Sequence, residues 1–407
     1  MRQTTHPTEP RDLVLALFTI SMVGASVVIV AIGTLIPFFE AVFHLPKATL
    51  GLILTVLMLG PMLFTAAAGL LVDRFGDKAV VFVTGWLMGG ALVVASLHQQ
   101  FLWLLLWLSV YGAGYAGVTP AGSHAILFFF DRTSRGVAMG IRQMGVPLGG
   151  LVGAVLLPSV AHARGYSAAL VAGGIACVIT SLIASLGYRE PIALRGEHAS
   201  LRSLITGMLH IGAEPALLLV VGVSVALMAV QIALMGFLPL TFSHLGGYSA
   251  FEVAAIFGLS QVAAMGGRMT WGWISDRRFS GNRMVPMALI CVCSAVAALG
   301  VGSIHSIGIV LGALTAALLG FAGEGWFGLT AIALAEIGGE EHSGSALGFG
   351  MTLIFVAAMV AAPLFGALID RLGYQIAWYA LAGVALVGLF PALGAHVKIQ
   401  RRAAGSA

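Results

Sequence analysis

Long apolar runs, each closed by polar or charged residues, dominate the pattern of hydrophobic positions along this chain. About 20 helical residues cross a hydrocarbon core about 30 Å thick, so runs of this length predict membrane-spanning helices. Twelve runs qualify, and we number them span 1 to span 12 in chain order. They lie at 13–37, 48–72, 79–97, 101–130, 136–159, 167–187, 216–240, 251–274, 284–304, 307–336, 344–368 and 375–396. The pattern therefore predicts an all-α integral membrane protein.

The longest polar connection, residues 188–215, divides the spans into two groups of six. We therefore predict an N-terminal six-helix bundle over 1–187, a linker over 188–215, and a C-terminal six-helix bundle with its tail over 216–407. The linker is expected to carry a short surface helix near 199–210. The polar stretch before span 1 leads into it without a small-residue cleavage site, so we expect span 1 to be retained.

Basic residues between the spans predict which ends face the cytoplasm, because cytoplasmic loops carry an excess of Lys and Arg. With the N-terminus inside, fifteen basic residues lie on the cytoplasmic side, and only Lys47, Arg164 and Arg371 lie outside. Both termini are therefore expected in the cytoplasm, with the chain in the cytoplasmic (inner) membrane of the cell.

Composition supports the membrane prediction and narrows the function. Of the 407 residues, 59% are hydrophobic and 9% are charged, against about 25% charged in a typical soluble domain. The 54 glycines suit closely packed membrane helices. The net charge of +4 then reports topology rather than a nucleic-acid surface. No enzyme signature, phosphate-binding loop or metal-ligand spacing stands out, so we expect no catalytic residue, no cofactor, no metal and no nucleic-acid partner.

A short charged motif closes spans 2 and 8. The segments "GLLVDRFGDK" at 69–78 and "GWISDRRFSGNR" at 272–283 share a glycine, three residues, and then Asp-Arg. Glycine lets a helix end approach its neighbour, and aspartate can accept hydrogen bonds from a neighbouring helix N-terminus. We predict that the two copies form gating layers which close the cytoplasmic side. Their members are Gly69, Asp73, Arg74, Gly272, Asp276 and Arg277. A third copy, at 366–371, ends span 11 on the outside and carries less weight.

Twelve spans in two parallel halves, with these motifs after spans 2 and 8, resemble the major facilitator superfamily of secondary transporters. Span 5 adds "GVPLGG" at 145–150, which is similar to the Gly-Pro-rich motif in the fifth helix of that family. The resemblance implies a central cavity between the halves and alternating access by rocking. The family's usual arginine early in span 4 is absent, because Leu108 stands four residues before Gly112.

Ionisable residues inside the spans are costly in lipid, so those that are retained are candidates for function. Counted along the helix, Arg142 lies about 10 Å into span 5 and Arg268 lies about 12 Å into span 8. Both approach from the cytoplasmic side, one in each half, and a guanidinium matches the geometry of a carboxylate. We predict that both bind a substrate anion. The alternative for each is a side chain that snorkels to the surface or pairs with a helix end.

The end of span 8 carries a second, regional resemblance. The segment "RMTWGWISDRR" at 268–278 resembles the eighth helix of the oxalate/formate and monocarboxylate transporter group. In that group an arginine on this helix binds the substrate carboxylate, which implies the same role for Arg268. The likeness stops there, because span 11 contains no basic residue and Ala264 and Met265 replace the acid of the monocarboxylate carriers.

Four more residues complete the predicted site. Glu324, near the middle of span 10, is predicted to exchange a proton, and the alternative is a structural ion pair. His124, toward the cytoplasmic end of span 4, is a second proton-coupling candidate with a structural role as its alternative. Gln143 and Trp326 are candidates for binding substrate, although an aromatic residue on a membrane helix also serves packing.

These residues together predict a secondary active transporter that moves a small organic anion, a monocarboxylate, by proton-coupled alternating access. Its partners are then an anionic small molecule, protons and the lipid bilayer, and one chain is sufficient, so we expect a monomer. Two alternatives remain open. They are a proton-driven exporter of drugs or metabolites and a membrane receptor or scaffold that transports nothing.

Overall fold

The computed structural model describes residues 10–130, 134–191, 214–279 and 281–405. These residues form helices joined by short turns, and they contain no β-strand. The all-α membrane architecture predicted from the hydrophobic pattern is confirmed. The surface helix predicted near 199–210 lies outside the described residues.

The helices follow the order of the predicted spans. Before residue 191 they are Arg11–Ala31, Ile36–Phe43, Lys47–Leu50, Leu52–Phe75, Asp77–Ala95, Phe101–Phe129, Arg135–Gln143 and Gly145–Gly187, with a 3₁₀ turn at Ile32–Leu35. After residue 214 they are Pro215–His244, Ala250–Arg278, Met284–Gly302, Ile304–Gly323, Phe327–Val387 and Leu389–Gly405. We call the first set the N-terminal helices and the second set the C-terminal helices.

Among the described residues, ten stretches are long and apolar enough to cross a membrane. Two of them exceed one crossing, since Val137–Gly187 has 51 residues and Ala346–Ile399 has 54. Each contains a glycine with positive φ, Gly165 at 83° and Gly373 at 80°, a conformation that interrupts a helix and that residues with a Cβ avoid. Divided at these glycines, the stretches accommodate spans 5 and 6 and spans 11 and 12.

Spans 1 and 7 are the most enclosed of the described spans. In their most apolar windows 67% and 72% of the residues are buried, more than in the other described spans. The two helices meet where Gly33 faces the backbone of Met235. A Cβ at Gly33 would lie 2.9 Å from the Met235 carbonyl carbon, so glycine is what permits this approach. Spans 1 and 7 thus join the N-terminal and C-terminal helices at the centre of the molecule.

The two ends of the molecule carry different charged groups. Arg74, at the end of span 2, and Arg277, at the end of span 8, lie at one end, which we call the basic end. Lys47 and Asp370 contact each other at the other end, which we call the opposite end. The distribution of basic residues predicts that the basic end faces the cytoplasm.

Candidate functional site

The structure brings Arg268 of span 8 and Glu324 of span 10 together as an ion pair. Arg268 Nη2 donates to Glu324 Oε2 at 3.4 Å. The Glu324 side chain is fully buried and that of Arg268 is 11% exposed, so the pair is largely shielded from solvent. Because the pair is buried, removing either residue destabilises the protein, since the other residue is left as an uncompensated charge. Two candidates predicted separately from the sequence therefore form one unit.

Gln261, which the sequence analysis did not select, completes the coordination of Glu324. Its Nε2 donates to Glu324 Oε1 at 3.1 Å, and the glutamine is fully buried on the same helix as Arg268. Its Oε1 has no hydrogen-bond partner within the described part of the chain. That oxygen lies against Gly150 of span 5, where a Cβ would come within 2.8 Å of it. The Glu324 network therefore reaches the boundary between the C-terminal and N-terminal helices.

Glu324 stands at a break in span 10. The helix Ile304–Gly323 ends directly before it, and the next helix begins at Phe327. Glu324 N donates to Gly320 O at 3.2 Å in the helical pattern, whereas Gly325 N turns to Ala322 O at 3.1 Å. Interrupted helices in the membrane are tolerated where protein groups satisfy the backbone, and they recur at the binding sites of transporters. The turn therefore places a carboxylate where backbone polar groups are also available.

Trp326 lies on the same turn but is fully buried. Its Nε1 donates to Oε1 of Gln231, on span 7, at 3.1 Å. In this state the ring exposes no surface to a ligand. Its contacts tie the break in span 10 to the enclosed span 7.

Arg142 is fully buried, with its guanidinium against span 4. Its Nη2 donates to the carbonyl oxygens of Val118 and Thr119, both at 3.0 Å, and Nη1 donates to Ser123 Oγ at 3.2 Å. Gly122 makes room for it, since a Cβ there would lie 2.8 Å from the guanidinium carbon. Among the described residues no carboxylate pairs with Arg142, and its Nε has no partner.

Tyr115 of span 4 lies in the neighbourhood of both Arg142 and Arg268. Its phenol lies within electrostatic range of Arg142, Arg268 and Glu324. Of the residues that the structure describes, the surroundings of Tyr115 thus include two guanidinium groups and one carboxylate, drawn from both the N-terminal and the C-terminal helices. Gln143, next to Arg142, is partly buried and adds no hydrogen bond to this network among the described residues.

His124 belongs to a separate cluster nearer the basic end. Its Nδ1 lies 2.9 Å from Oδ1 of Asp77, which is fully buried at the start of span 3. The Tyr188 hydroxyl donates to Asp77 Oδ2 at 3.4 Å, and Glu190 Oε1 accepts from the Asp77 backbone N–H at 2.6 Å. The histidine thus joins spans 3, 4 and 6 rather than the Glu324 network.

The predicted gating residues lie at the basic end, and among the described side chains no hydrogen bond or ion pair joins them to the other set of helices. Gly69 and Gly272 face open space. Arg74 is exposed, with its guanidinium 5.3 Å from the ring of Phe75, and Arg277 is exposed as well. The side chain of Asp73 lies outside the described part of the structure.

Asp276 pairs with Arg283, just past the same helix. Arg283 also reaches Glu336 at 3.5 Å. These contacts stay within the C-terminal helices. Over the described residues, these polar contacts of the basic end therefore do not connect the N-terminal helices to the C-terminal helices.

Contacts between the two sets of helices are found at the opposite end. Asp370, in the third copy of the Gly-x-x-x-Asp-Arg motif, accepts hydrogen bonds from the backbone N–H groups of Lys47 and Ala48 at 3.0 and 2.8 Å. His244 Nε2 lies 3.1 Å from Oε2 of Glu40. The structure is thus closed at the opposite end, and the motif copy that received least weight makes the closing contact.

The sequence alone did not indicate four of the residues that make these contacts, which are Gln231, Gln261, Tyr115 and Asp370. A search restricted to side chains that carry charge near neutral pH passes over both glutamines and the tyrosine. Buried amides in lipid are costly in the same way as charges, although less so, and that criterion would have selected both glutamines. Asp370 was visible as a motif but not as a helix cap, because its partner lies on span 2.

The family assignment follows from comparison with known proteins. The model of the Major Facilitator Superfamily matches residues 14–336, which is most of the chain. The protein therefore belongs to the major facilitator superfamily, and it is a transporter rather than an enzyme.

Two relatives and one solved structure define its neighbourhood. An uncharacterized MFS-type transporter of Mycobacterium tuberculosis is 29% identical over 88% of this chain and 78% of the relative. The gallate transporter of Pseudomonas putida is 25% identical over 71% of this chain and 70% of the relative. The crystal structure of a bacterial homolog to the human lysosomal transporter Spinster, inward-facing and unoccupied, matches with a TM-score of 0.67. It is 17% identical and covers 95% of this chain and 93% of its own, so this likeness concerns the fold.

Proposed function

We propose that this transporter moves a small organic anion, a monocarboxylate, together with a proton across the cytoplasmic membrane. The observation that carries the proposal is the buried pair of Arg268 and Glu324 at the break in span 10. A substrate carboxylate can replace Glu324 on the Arg268 guanidinium, because both groups accept the same hydrogen bonds. Glu324 then loses its counter-charge and takes up the proton that travels with the anion.

Charge balance supports an anion over a cation. With Glu324 ionised, the described residues around Tyr115 include two guanidinium groups and one carboxylate, which leaves one positive charge without a counter-charge among them. The positive charge without a counter-charge is that of Arg142, on the N-terminal helices. Its guanidinium donates hydrogen bonds to backbone carbonyls of span 4, which are neutral. An arriving anion meets an attractive potential, which is strong where water is excluded. In the states that bind the anion, Gln143 and Trp326 contribute further contacts to it.

The named substrate of one relative agrees with this chemistry. Gallate is a monocarboxylate, and the gallate transporter of Pseudomonas putida matches most of this chain at 25% identity. The relative suggests a carboxylate as the first probe.

In the proposed cycle the two ends open alternately. Closure of the opposite end by Asp370 leaves the basic end as the open side. When that end closes, Gly69, Asp73 and Arg74 meet span 11, and Gly272, Asp276 and Arg277 act as their counterpart. We place both termini in the cytoplasm, the chain in the inner membrane as a monomer, and the two six-helix bundles at 1–187 and 216–407.

Anion flux into vesicles tests this function. Purified protein is reconstituted with an internal pH-sensitive dye, and uptake of labelled gallate, lactate and the cationic dye ethidium is measured under an inward proton gradient. We expect uptake of a carboxylate with acidification of the lumen. Arg268→Ala should abolish it, whereas Arg278→Ala, at the exposed end of the same helix, should keep it.

Other results would contradict the proposal in distinguishable ways. Release of ethidium from preloaded vesicles on imposing the inward proton gradient, without carboxylate uptake, would support the exporter. Carboxylate uptake by Arg268→Ala at the wild-type rate would remove this residue from the anion site. Absence of any flux for all probes would contradict an anion carrier of this class.

A further inference from the structure

The break in span 10 deprives the backbone carbonyl of Phe321 of its helical donor inside the membrane. In a continuous helix the N–H of Gly325 would donate to the oxygen of Phe321, but here it donates to Ala322. A backbone carbonyl without a donor is expensive in lipid. The Phe321 oxygen therefore needs a partner from outside the helix.

Trp271 of span 8 supplies that partner. Its Nε1 donates to Phe321 O at 3.0 Å, and its side chain is almost fully buried. The indole packs against the Phe321 ring, with centroids 5.5 Å apart, and against Gly325. A Cβ at Gly325 would lie 3.1 Å from Nε1 and even closer to the ring, so the glycine admits the indole.

Trp271 stands three residues after Arg268 on the same helix, so the two side chains lie on one face. One reaches the carbonyl just before the break, and the other reaches the carboxylate within it. We propose that Trp271 is a positioning residue that holds the break in span 10 so that Glu324 faces Arg268. The proposal rests on the proposed function, because the position of Glu324 opposite Arg268 is what allows Glu324 to release its proton.

The role can be separated from a general contribution to stability. Net uptake requires Glu324 to release its proton and return to Arg268 before the empty carrier reorients. Exchange of labelled for unlabelled anion proceeds through the loaded carrier and bypasses that return. Loss of Trp271 therefore affects net uptake much more than exchange, whereas simple misfolding reduces both together.

The first test measures thermal unfolding of the purified full-length protein and needs no substrate. The variants are Trp271→Phe, which removes the N–H, Glu324→Gln, and the two combined. Trp273→Phe is the matched control, since Trp273 is on the same helix but 59% exposed. We expect Trp271→Phe to lower the unfolding temperature clearly in the wild-type background and much less beside Glu324→Gln, because no ion pair remains to be aligned. Additive effects of the two substitutions would overturn the proposal.

The second test compares net uptake with exchange in vesicles, using gallate as the probe. We expect Trp271→Phe to reduce net uptake about tenfold relative to exchange, an effect typical of a misplaced reacting group. Gly325→Ala, which displaces the indole, should do the same, and Trp273→Phe should leave the ratio unchanged. An unchanged ratio for Trp271→Phe would overturn the proposal. If the wild type carries no anion, the proposed function fails while the unfolding test still decides whether Trp271 aligns the pair.

Discussion

Removing the cap that Asp370 places on span 2 should open the opposite end of the transporter. Asp370 accepts from the N–H groups of Lys47 and Ala48 across the boundary between the two sets of helices. Asp370→Ala deletes both hydrogen bonds. The N-terminal helices lose a polar contact in this state only, so the substitution favours the state in which the opposite end is open.

The expected size follows from the geometry of the cap. Replacing an aspartate cap by alanine costs about 0.5–2 kcal/mol, and an exposed cap such as Asp370 belongs near the middle of that range. A difference of about 1–2 kcal/mol changes an equilibrium ratio by a factor of about 5–30. Because the nearby contact of His244 with Glu40 remains, we expect a ratio change of about fivefold.

Distances between spin labels at Leu102 and Phe251 report the equilibrium directly. Both side chains are well exposed at the opposite end, one on span 4 and the other on span 8, and the three native cysteines are replaced first. The long-distance population should grow in Asp370→Ala. Arg371→Gln is the control, since Arg371 is exposed and makes no hydrogen bond or ion pair within the described residues. Equal distance distributions for Asp370→Ala and the wild type would refute the claim that Asp370 holds the opposite end closed.

Three further substitutions test contacts described above. Arg268→Met should lower the free energy of unfolding by about 3–5 kcal/mol, because it leaves the buried Glu324 unpaired; adding Glu324→Gln should recover most of the loss in denaturant titrations. Gly366→Ala should shift the spin-label distances toward the open opposite end, because a Cβ there would lie 2.5 Å from the Lys47 carbonyl carbon. Gly69→Ala should leave the closed population at least as large as in the wild type, because that glycine faces open space here. An increase of the open population in Gly69→Ala would contradict the assignment of this motif copy to the open end. The absence of an increase in Gly366→Ala would contradict the assignment of the third copy to the closed end.

Much of the fold could be predicted from the sequence because lipid imposes simple rules. Apolar runs of membrane length gave the order of the spans, and the Gly-x-x-x-Asp-Arg copies after spans 2 and 8 gave the family. What the pattern leaves open is where one crossing ends inside a continuous apolar stretch. Gly165 and Gly373 mark those points through a positive φ, which glycine permits but does not require.

The sequence supplied candidate residues for the site, but the contacts between them came only from the structure. The cost of charge in lipid pointed to Arg142, Arg268 and Glu324 one at a time. Pairing of Arg268 with Glu324 depends on the rotation of spans 8 and 10, which no local pattern encodes. The same holds for Arg142, whose hydrogen bonds to span 4 arise because Gly122 leaves room beside the guanidinium.

Anion binding by the purified protein tests the central claim, that Arg268 takes a substrate carboxylate in exchange for Glu324. Titration calorimetry with gallate compares the wild type, Arg268→Ala and Glu324→Gln. We predict binding to the wild type, none to Arg268→Ala, and tighter binding to Glu324→Gln, in which no internal carboxylate competes for the guanidinium. Binding of gallate to Arg268→Ala with the affinity of the wild type would contradict the account.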